Sequence, residues 1–150
     1  SDKGKNFLKD KLYPEASLNN PIDVLATASA PHYRAAIDAL MEEDQIDSIY
    51  INFVTPPFVD TESVAKEIAE VSKKKKKPII CNYMTDKAQW IETTKILKDG
   101  DIPCYDFPEM AAKALAALTR FGKIRSPEIG EIKQFDDINK RKTENLSFIF

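Results

Sequence analysis

Short runs of β-branched and other apolar residues alternate along the middle of the chain with stretches whose apolar residues recur at helical spacing. Four such pairs occupy about residues 20–122. The clearest run is residues 49–54, Ile-Tyr-Ile-Asn-Phe-Val, which is apolar enough for a strand that is buried on both faces. The alternation predicts four strand–helix repeats and hence an α/β fold.

Capping residues mark the ends of the predicted helices. Ser29 precedes the first helix, Asp60 precedes the second, and Pro108 opens the last. Gly100 and Gly122 are placed to end the third and the fourth helix. Because right-handed crossovers lay such strands parallel, we predict a three-layer, flavodoxin-like sheet with helices on both faces. Its loops would gather at the carboxyl ends of the strands, where ligands bind in open sheets of this kind.

The two flanks differ from this repeating region. Residues 1–19 contain a few leucines among polar residues and no complete strand. Residues 123–150 are charged and sparsely apolar until the Leu-Ser-Phe-Ile-Phe of residues 146–150. We therefore predict an N-terminal extension over 1–19, a domain over 20–122, and a linker or C-terminal tail over 123–150. Residues 146–150 are either the first residues of a further element or a segment that packs back on the core.

Composition excludes several classes of protein. The formal net charge of −2 provides no field that would hold nucleic acid or an anionic membrane. The sequence has neither a membrane-length apolar run nor a secretion signal, so we expect a cytoplasmic protein. Cys81 and Cys104 lie in apolar, strand-like stretches, and we expect reduced, packed thiols rather than a disulfide.

Three loops after the predicted strands carry polar or unusual residues. Thr27 and Ser29 follow the first apolar run, residues 55–61 follow the second, and Asn82 lies at the end of the third. The second loop is the most informative, because two adjacent prolines stiffen it and fix where the next helix begins. These loops are the candidate binding positions.

The helix that begins near Thr61 admits two interpretations. A helix start presents free backbone N–H groups and about half a positive charge, which suits an anion. Alternatively, the loop is only a rigid turn capped by Asp60, whose carboxylate would compete with an anion for the same N–H groups. Spacing alone favours the rigid turn.

Other chemistry lacks support in the sequence. His32, the single histidine, lies in the first turn of a predicted helix without an orienting partner, so we expect it to face solvent. The lysine run at residues 73–77 is typical of a solvated helix end that complements the helix dipole. One histidine and two separated cysteines give no metal-ligand cluster. Neither a dinucleotide-binding glycine motif nor a Walker A sequence is present.

Several ordered blocks resemble one enzyme family. They are NPIDVLATA at residues 20–28, VTPPFVDTE at 54–62 and GDIPCYDFPEMAAKALAAL at 100–118. Together they closely resemble the NDP-forming acyl-CoA synthetases, which include the ADP-forming acetate–CoA ligases and succinyl-CoA synthetase. The resemblance covers about residues 8–122. It implies the flavodoxin-like domain equivalent to the C-terminal domain of the succinyl-CoA synthetase β subunit.

This resemblance implies a place for the candidate site. In the family, two flavodoxin-like domains face each other where acyl phosphate, CoA and a phosphorylated histidine meet, and each points a helix N-terminus at the phosphohistidine. The matching loop here would face the phosphate with Thr55, Pro56, Pro57, Phe58 and Thr61, while Thr27, Ser29 and Asn82 are secondary candidates. None of these residues would be a catalytic group, and none would bind a metal.

The resemblance also implies an activity and partners. The family interconverts acyl-CoA, ADP and phosphate with a carboxylic acid, CoA and ATP. This chain would be one part of such an acid–thiol ligase and inactive in isolation. CoA, ADP or ATP and Mg would bind in the intact enzyme, and the partners would be its CoA-binding, phosphohistidine and ATP-grasp domains.

The sequence also departs from the family. Relatives place a glycine-rich strand–loop–helix before the NPID block, and residues 1–19 contain no such unit. The sheet would therefore lack its first strand–helix unit. This departure leaves an alternative, in which the chain is a non-catalytic, flavodoxin-like interaction or scaffold module.

Overall fold

A computed structural model describes residues 1–54, 56–84, 90–127 and 130. The described residues form five helices and three strands. In chain order these are α1 (Asp2–Lys9), α2 (Ala30–Met41), β1 (Ile49–Val54), α3 (Thr61–Ser72), β2 (Ile79–Met84), α4 (Ile91–Asp99), β3 (Cys104–Tyr105) and α5 (Pro108–Arg125).

The three strands form one parallel sheet in the order β1-β2-β3. Helices α2, α3 and α4 pack side by side on one face, and α5 lies across all three strands on the other. The predicted α/β architecture with helices on both faces is therefore confirmed. Since parallel strands need a crossover between them, α3 and α4 each run back from the carboxyl end of one strand to the amino end of the next.

The main core lies between the sheet and helices α2 to α4. Alternate residues of β1 point into it, and the phenyl ring of Phe53 is fully buried. That ring packs edge-on against Tyr33, with 5.3 Å between the ring centroids, and is tilted against Tyr83 at 5.4 Å. Burial raises the pKa of Tyr33 to about 12, with smaller contributions from Cys81 and Asp23. The apolar stripe that helical spacing predicts on α3 is also buried: Val64, Ile68 and Val71.

The first predicted strand, residues 22–25, does not join the sheet, so the prediction of four strand–helix repeats is wrong for the described residues. Asp23 forms only an isolated antiparallel bridge with Ser17. Leu25 has a φ of 71°, which interrupts the extended backbone that a strand requires. The apolar side chains of this run instead cover a smaller cluster between α1 and α2, formed by Leu8, Leu12, Ala35 and Ala39.

Helix α5 is longer than predicted. It continues through Gly122 to Arg125. A Cβ atom at position 122 would meet nothing within 4 Å, and a glycine inside a helix weakens the helix without ending it. Helical spacing predicts that Ala111 and Leu118 both face inward; Ala111 is buried, but Leu118 is 46% exposed. The prediction of an inward-facing Leu118 is therefore wrong: α5 buries its first turns against the sheet and leaves much of its apolar surface in solvent.

The two cysteines form no disulfide. Cys81 and Cys104 are register partners on β2 and β3, with Cys81 buried and Cys104 exposed. A hydrogen bond with Cys104 and burial both raise the pKa of the Cys81 thiol, which keeps it protonated. This arrangement agrees with the expectation of reduced thiols. The expectation of packed thiols holds for Cys81 and not for the exposed Cys104.

Gly100 ends α4 as predicted and lies where α4 approaches α3 most closely. A Cβ atom added to Gly100 would lie 2.6 Å from Cβ and 3.2 Å from Cα of Ala69. Because one of these atoms belongs to the backbone of α3, Gly100→Ala should push the two helices apart. We expect it to lower the free energy of unfolding by about 1–3 kcal/mol, as measured by urea denaturation.

Gly122 provides the matched control for this substitution. A Cβ atom there meets nothing within 4 Å, so Gly122→Ala should raise stability by about 0.5–1 kcal/mol through helix propensity alone. Equal stability effects of the two substitutions would contradict the steric role of Gly100.

Candidate functional site at the start of helix α3

The connection from β1 to α3 forms a short, closed turn. The backbone N–H of Val59 donates to the carbonyl of Pro56 at 3.1 Å, and Pro57 lies at the exposed tip. Phe58 is 69% exposed, an unusual position for a phenyl ring. Thr55, the remaining candidate in this loop, lies outside the described residues. The turn therefore presents a stiff, partly apolar surface just ahead of the helix.

Asp60 caps the helix, as the rigid-turn interpretation predicts. Its carboxylate accepts from the backbone N–H of Ser63 at 3.0 Å and from the Ser63 hydroxyl at 2.6 Å. These hydrogen bonds lower the pKa of Asp60, with a smaller contribution from the backbone N–H of Glu62. An approaching anion therefore meets a helix start whose positive end is partly neutralised.

Thr61 differs from its predicted role in one respect. Its side chain is only 2% exposed and points inward, with Oγ1 lying 2.9 Å from Oγ1 of Thr93 on α4. Thr61 can thus offer only its backbone to a ligand outside the helix. The paired hydroxyls instead fix the first turn of α3 against α4.

Tyr83, at the end of β2, adds a third hydroxyl close to this pair. Burial raises the pKa of Tyr83, and the nearby hydroxyls of Thr93 and Thr61 act in the opposite direction. The phenol oxygen nevertheless makes no hydrogen bond of normal geometry with the described residues. Sequence reasoning missed Thr93, since no local pattern links it to a helix start 32 residues earlier.

Asn82 lies inside the protein rather than in an open loop. Its side chain is fully buried, and its Nδ2 donates to the backbone carbonyl of Tyr105 at 2.9 Å. That hydrogen bond joins β2 to β3 and fixes the orientation of the amide. Oδ1 has no hydrogen-bond partner among the described residues. Asn52, the register partner on β1, is exposed.

The other secondary candidates lie at the start of α2. Ser29 is the N-cap residue, and its backbone N–H donates to Nδ1 of His32 at 3.1 Å. The His32 ring also stacks on Tyr13, with 4.4 Å between the ring centroids. His32 is therefore half-buried and held in place, rather than facing solvent as expected. Thr27 is exposed.

The lysine run lies at the opposite end of α3 from the candidate site. Lys74 pairs with Asp38 at 2.7 Å and Lys76 with Glu42 at 2.5 Å. Lys77 donates to the backbone carbonyl of Leu40 at 2.7 Å, near the end of α2. The run follows α3 as predicted, but these lysines bind groups of α2 and its C-terminus instead of being simply solvated. The run supplies no charge to the site.

The described start of α3 has little side-chain chemistry of its own. Among the described side chains, no group of three or more His, Cys, Asp and Glu residues could hold a metal ion. Asp60, the ionisable side chain nearest to the turn, is already engaged as a cap. Within the same part of the chain, no helix is both long and apolar enough to cross a membrane.

Comparison with known proteins shows that the chain is similar to parts of ADP-forming CoA ligases. It is 30% identical over 145 residues to the 4-hydroxybutyrate–CoA ligase (ADP-forming) of Nitrosopumilus maritimus, a match that covers 89% of this chain and 20% of that enzyme. It is 28% identical over 142 residues to the acetate–CoA ligase (ADP-forming) I of Archaeoglobus fulgidus, covering 93% and 19%. The chain thus spans about a fifth of the length of these relatives. No protein-family model matches it.

Solved structures share the fold. A protein of Pyrococcus horikoshii superposes with a TM-score of 0.76 at 25% identity, covering 85% of this chain and 30% of that one. An acetyl-coenzyme A synthetase of Candidatus Korarchaeum cryptofilum superposes with a TM-score of 0.72 at 24% identity, covering 84% and 28%. The second likeness shows the fold alone.

Proposed function

We propose, from the premise that this chain is a member of the NDP-forming acyl-CoA synthetase superfamily, that it is one domain of an acyl-CoA synthetase. The enzyme would interconvert acyl-CoA, ADP and phosphate with a carboxylic acid, CoA and ATP, through an acyl phosphate and a phosphohistidine. The homology, which covers most of this chain but a fifth of each relative, supports a role as one part of a larger enzyme.

The start of α3 is the observation that carries this proposal. It combines a turn closed by a backbone hydrogen bond, a capped helix of twelve residues, and a first residue anchored to α4 through Thr93. A preorganised helix start of this kind stabilises an anion without reorganising when the anion arrives. A phosphohistidine would come from a partner domain, because the single histidine of this chain, His32, lies at the start of α2 and stacks on Tyr13.

The role of the site residues is electrostatic and steric. Pro56, Pro57 and Phe58 would exclude water beside the phosphoryl group, while backbone groups at the start of α3 would face it. Because Thr61 points inward, it would position the helix and not touch the phosphate. Asp60 limits the positive field, so the contribution of this helix would be moderate, on the order of 1–2 kcal/mol.

Cofactors and partners follow from the same proposal. CoA and ADP or ATP would bind in the intact enzyme, with partner domains that bind CoA, carry the phosphohistidine and grasp ATP. Mg would be held by those partner domains, since the described residues here offer no cluster of metal ligands. The equivalence to the C-terminal domain of the succinyl-CoA synthetase β subunit stays a prediction, as does the cytoplasmic location.

Phe58→Glu, made in the intact synthetase, tests this role. The side chain is exposed, so the fold should survive, but the new carboxylate would repel a phosphoryl group that approaches α3. We expect turnover and the yield of phosphohistidine to fall roughly ten- to hundredfold. Phe58→Gln, which has nearly the same shape and no charge, should lose far less.

Two results would count against the site. Equal loss in Phe58→Glu and Phe58→Gln would show that the turn acts through its apolar surface and not through electrostatics. Full activity in both variants would remove the start of α3 from the mechanism. The alternative of a non-catalytic scaffold is not favoured, because the curated relatives are ligases.

A further inference from the structure

The two cysteines of the chain, Cys81 and Cys104, lie side by side in the sheet. They are register partners on the parallel strands β2 and β3, so their side chains leave the same face of the sheet. Neighbouring strands lie about 4.8 Å apart, and a disulfide joins cysteines whose Cα atoms are about 4.4–6.8 Å apart. The pair therefore has the backbone spacing that a disulfide requires, although no disulfide joins it in this structure.

Hydrogen bonds on either side of the pair hold the two strands at this spacing. The backbone N–H of Cys81 donates to the carbonyl of Pro103 at 2.9 Å, and Nδ2 of Asn82 donates to the carbonyl of Tyr105 at 2.9 Å. The first carbonyl precedes Cys104 and the second follows it. The position of Cys104 relative to Cys81 is therefore fixed from both sides, even though β3 is only two residues long.

The two thiols are also in contact with each other. A side-chain hydrogen bond joins Cys81 to Cys104, and this bond together with burial raises the pKa of Cys81. Cys81 thus keeps its proton and donates it, while the sulfur of Cys104 accepts. Sγ of Cys104 also lies 3.4 Å from the carbonyl oxygen of Ile102. The two sulfur atoms are therefore already adjacent before any oxidation.

The two cysteines differ in their access to a reagent. Cys81 is fully buried in the main core, whereas Cys104 is exposed in the described chain. A cavity of about 280 Å³ between β3 and α4 is lined by Tyr83, Lys98 and Cys104, among others, which leaves room for a small molecule beside this thiol. Because the reactivity of a thiol requires access, a reagent should reach Cys104 first and Cys81 only through it.

We propose that Cys104 and Cys81 form a redox-active pair, in which Cys104 reacts with a low-molecular-weight disulfide and Cys81 resolves the product. The thiolate of Cys104 attacks one sulfur of the reagent, which forms a mixed disulfide and releases one thiol. The thiolate of Cys81 then attacks Sγ of Cys104 and releases the second thiol. Each departing thiolate takes the proton that a cysteine gives up. Two protein thiols are thereby oxidised to one disulfide, and one reagent disulfide is reduced to two thiols.

The new bond would change how readily this end of the sheet opens. It would join β2 to β3 covalently and close the segment that contains α4 into a loop. A two-residue edge strand that is held by a few hydrogen bonds can open locally, and a covalent link prevents that opening. The strand also leads into α5, which begins at Pro108. This inference does not depend on the activity proposed above.

Reaction of the chain with bis(2-hydroxyethyl) disulfide, followed by mass spectrometry, tests the pair. We expect both thiols to be lost, no mercaptoethanol group to be retained, and a disulfide-linked peptide to contain Cys81 and Cys104. Cys81→Ala should instead retain one mercaptoethanol group on Cys104. Cys104→Ser should react at least about tenfold more slowly, because its remaining thiol is buried.

Amide hydrogen exchange measures the effect on the sheet. The backbone N–H of Cys81, which donates to Pro103, should exchange about tenfold more slowly in the oxidised chain than in the reduced chain. The same amide in Cys104→Ser should exchange at one rate with and without the reagent. An equal exchange rate in the oxidised and reduced chain would contradict the proposed effect on opening.

Three results would overturn the pair itself. A mercaptoethanol group that persists on the chain without substitutions would mean that Cys81 does not reach Cys104. A disulfide between two copies of the chain would assign the reactivity to Cys104 alone. Equal reaction rates with and without Cys104→Ser would mean that the reaction follows unfolding. The first two results come from the chain without substitutions, so they decide the matter even if Cys81→Ala does not fold.

Discussion

Asn82→Asp should lower the free energy of unfolding by about 3–5 kcal/mol at neutral pH, the largest effect expected from any single polar substitution here. The side chain is fully buried and its Nδ2 donates to the carbonyl of Tyr105. An ionised aspartate would place a negative charge against that carbonyl oxygen without a donor to offset it. Both burial and repulsion disfavour the charged form.

The effect of Asn82→Asp should depend on pH in a defined direction. Burial would raise the pKa of the new carboxyl in the folded state above its unfolded value, so the folded state would bind the proton more tightly. The contribution of the protonated carboxyl to the free energy of unfolding would be fully present below the unfolded pKa of about 3.9. It would be lost as pH rises through the folded pKa. When protonated, the carboxyl group can donate to Tyr105 and replace the amide.

Urea unfolding at acidic and neutral pH measures this effect. Asn52→Asp is the matched control, because Asn52 is the register partner of Asn82 on β1 but is exposed. Its carboxyl should remain solvated and change stability by less than about 0.5 kcal/mol. A similar pH dependence in both variants would show that position 82 is hydrated rather than dry.

Phe53→Ala should lower the free energy of unfolding by about 3–5 kcal/mol. The ring is fully buried at the centre of the main core and contacts both Tyr33 and Tyr83. Its removal would leave a cavity between β1, α2 and β2, since strand backbones joined by hydrogen bonds cannot collapse to fill it. Chemical denaturation with an unchanged m-value would report this loss directly.

Phe58→Ala isolates the contribution of burial to this result. The two phenylalanines lie five residues apart, yet Phe58 is 69% exposed and packs against no core residue. We expect Phe58→Ala to change stability by less than about 0.5 kcal/mol. A loss in Phe58→Ala comparable to that of Phe53→Ala would mean that the turn before α3 is part of the core.

The sequence predicted those elements whose pattern is long and local. Residues 49–54 form a strand, Asp60 caps α3 and Gly100 ends α4, because apolar periodicity and capping chemistry act over a few neighbouring residues. Residues 22–25 are also apolar, but a run of four residues is too short to tell a strand from a loop whose side chains pack on the core. A positive φ at Leu25 excludes the strand, and composition does not reveal it.

The candidate site was predictable in position but not in detail. The two prolines and the cap of Asp60 located the start of α3, and the family resemblance gave it a role. The inward direction of Thr61 depends on Thr93, which lies on another helix and has no marker in the sequence. Likewise, the burial of Asn82 follows from the sheet order, which is a property of the whole fold.

The close contact between Gly100 and Ala69 has a consequence for the aim of α3. Ala69 lies eight residues after Thr61, or about 12 Å along the helix axis. A side chain at position 100 would push this part of α3 away from α4, while the hydrogen bond between Thr61 and Thr93 holds the helix start. The axis of α3 would therefore tilt about its first turn. In the proposed role, a glycine without chemistry of its own would thus keep the helix pointed at the phosphoryl group.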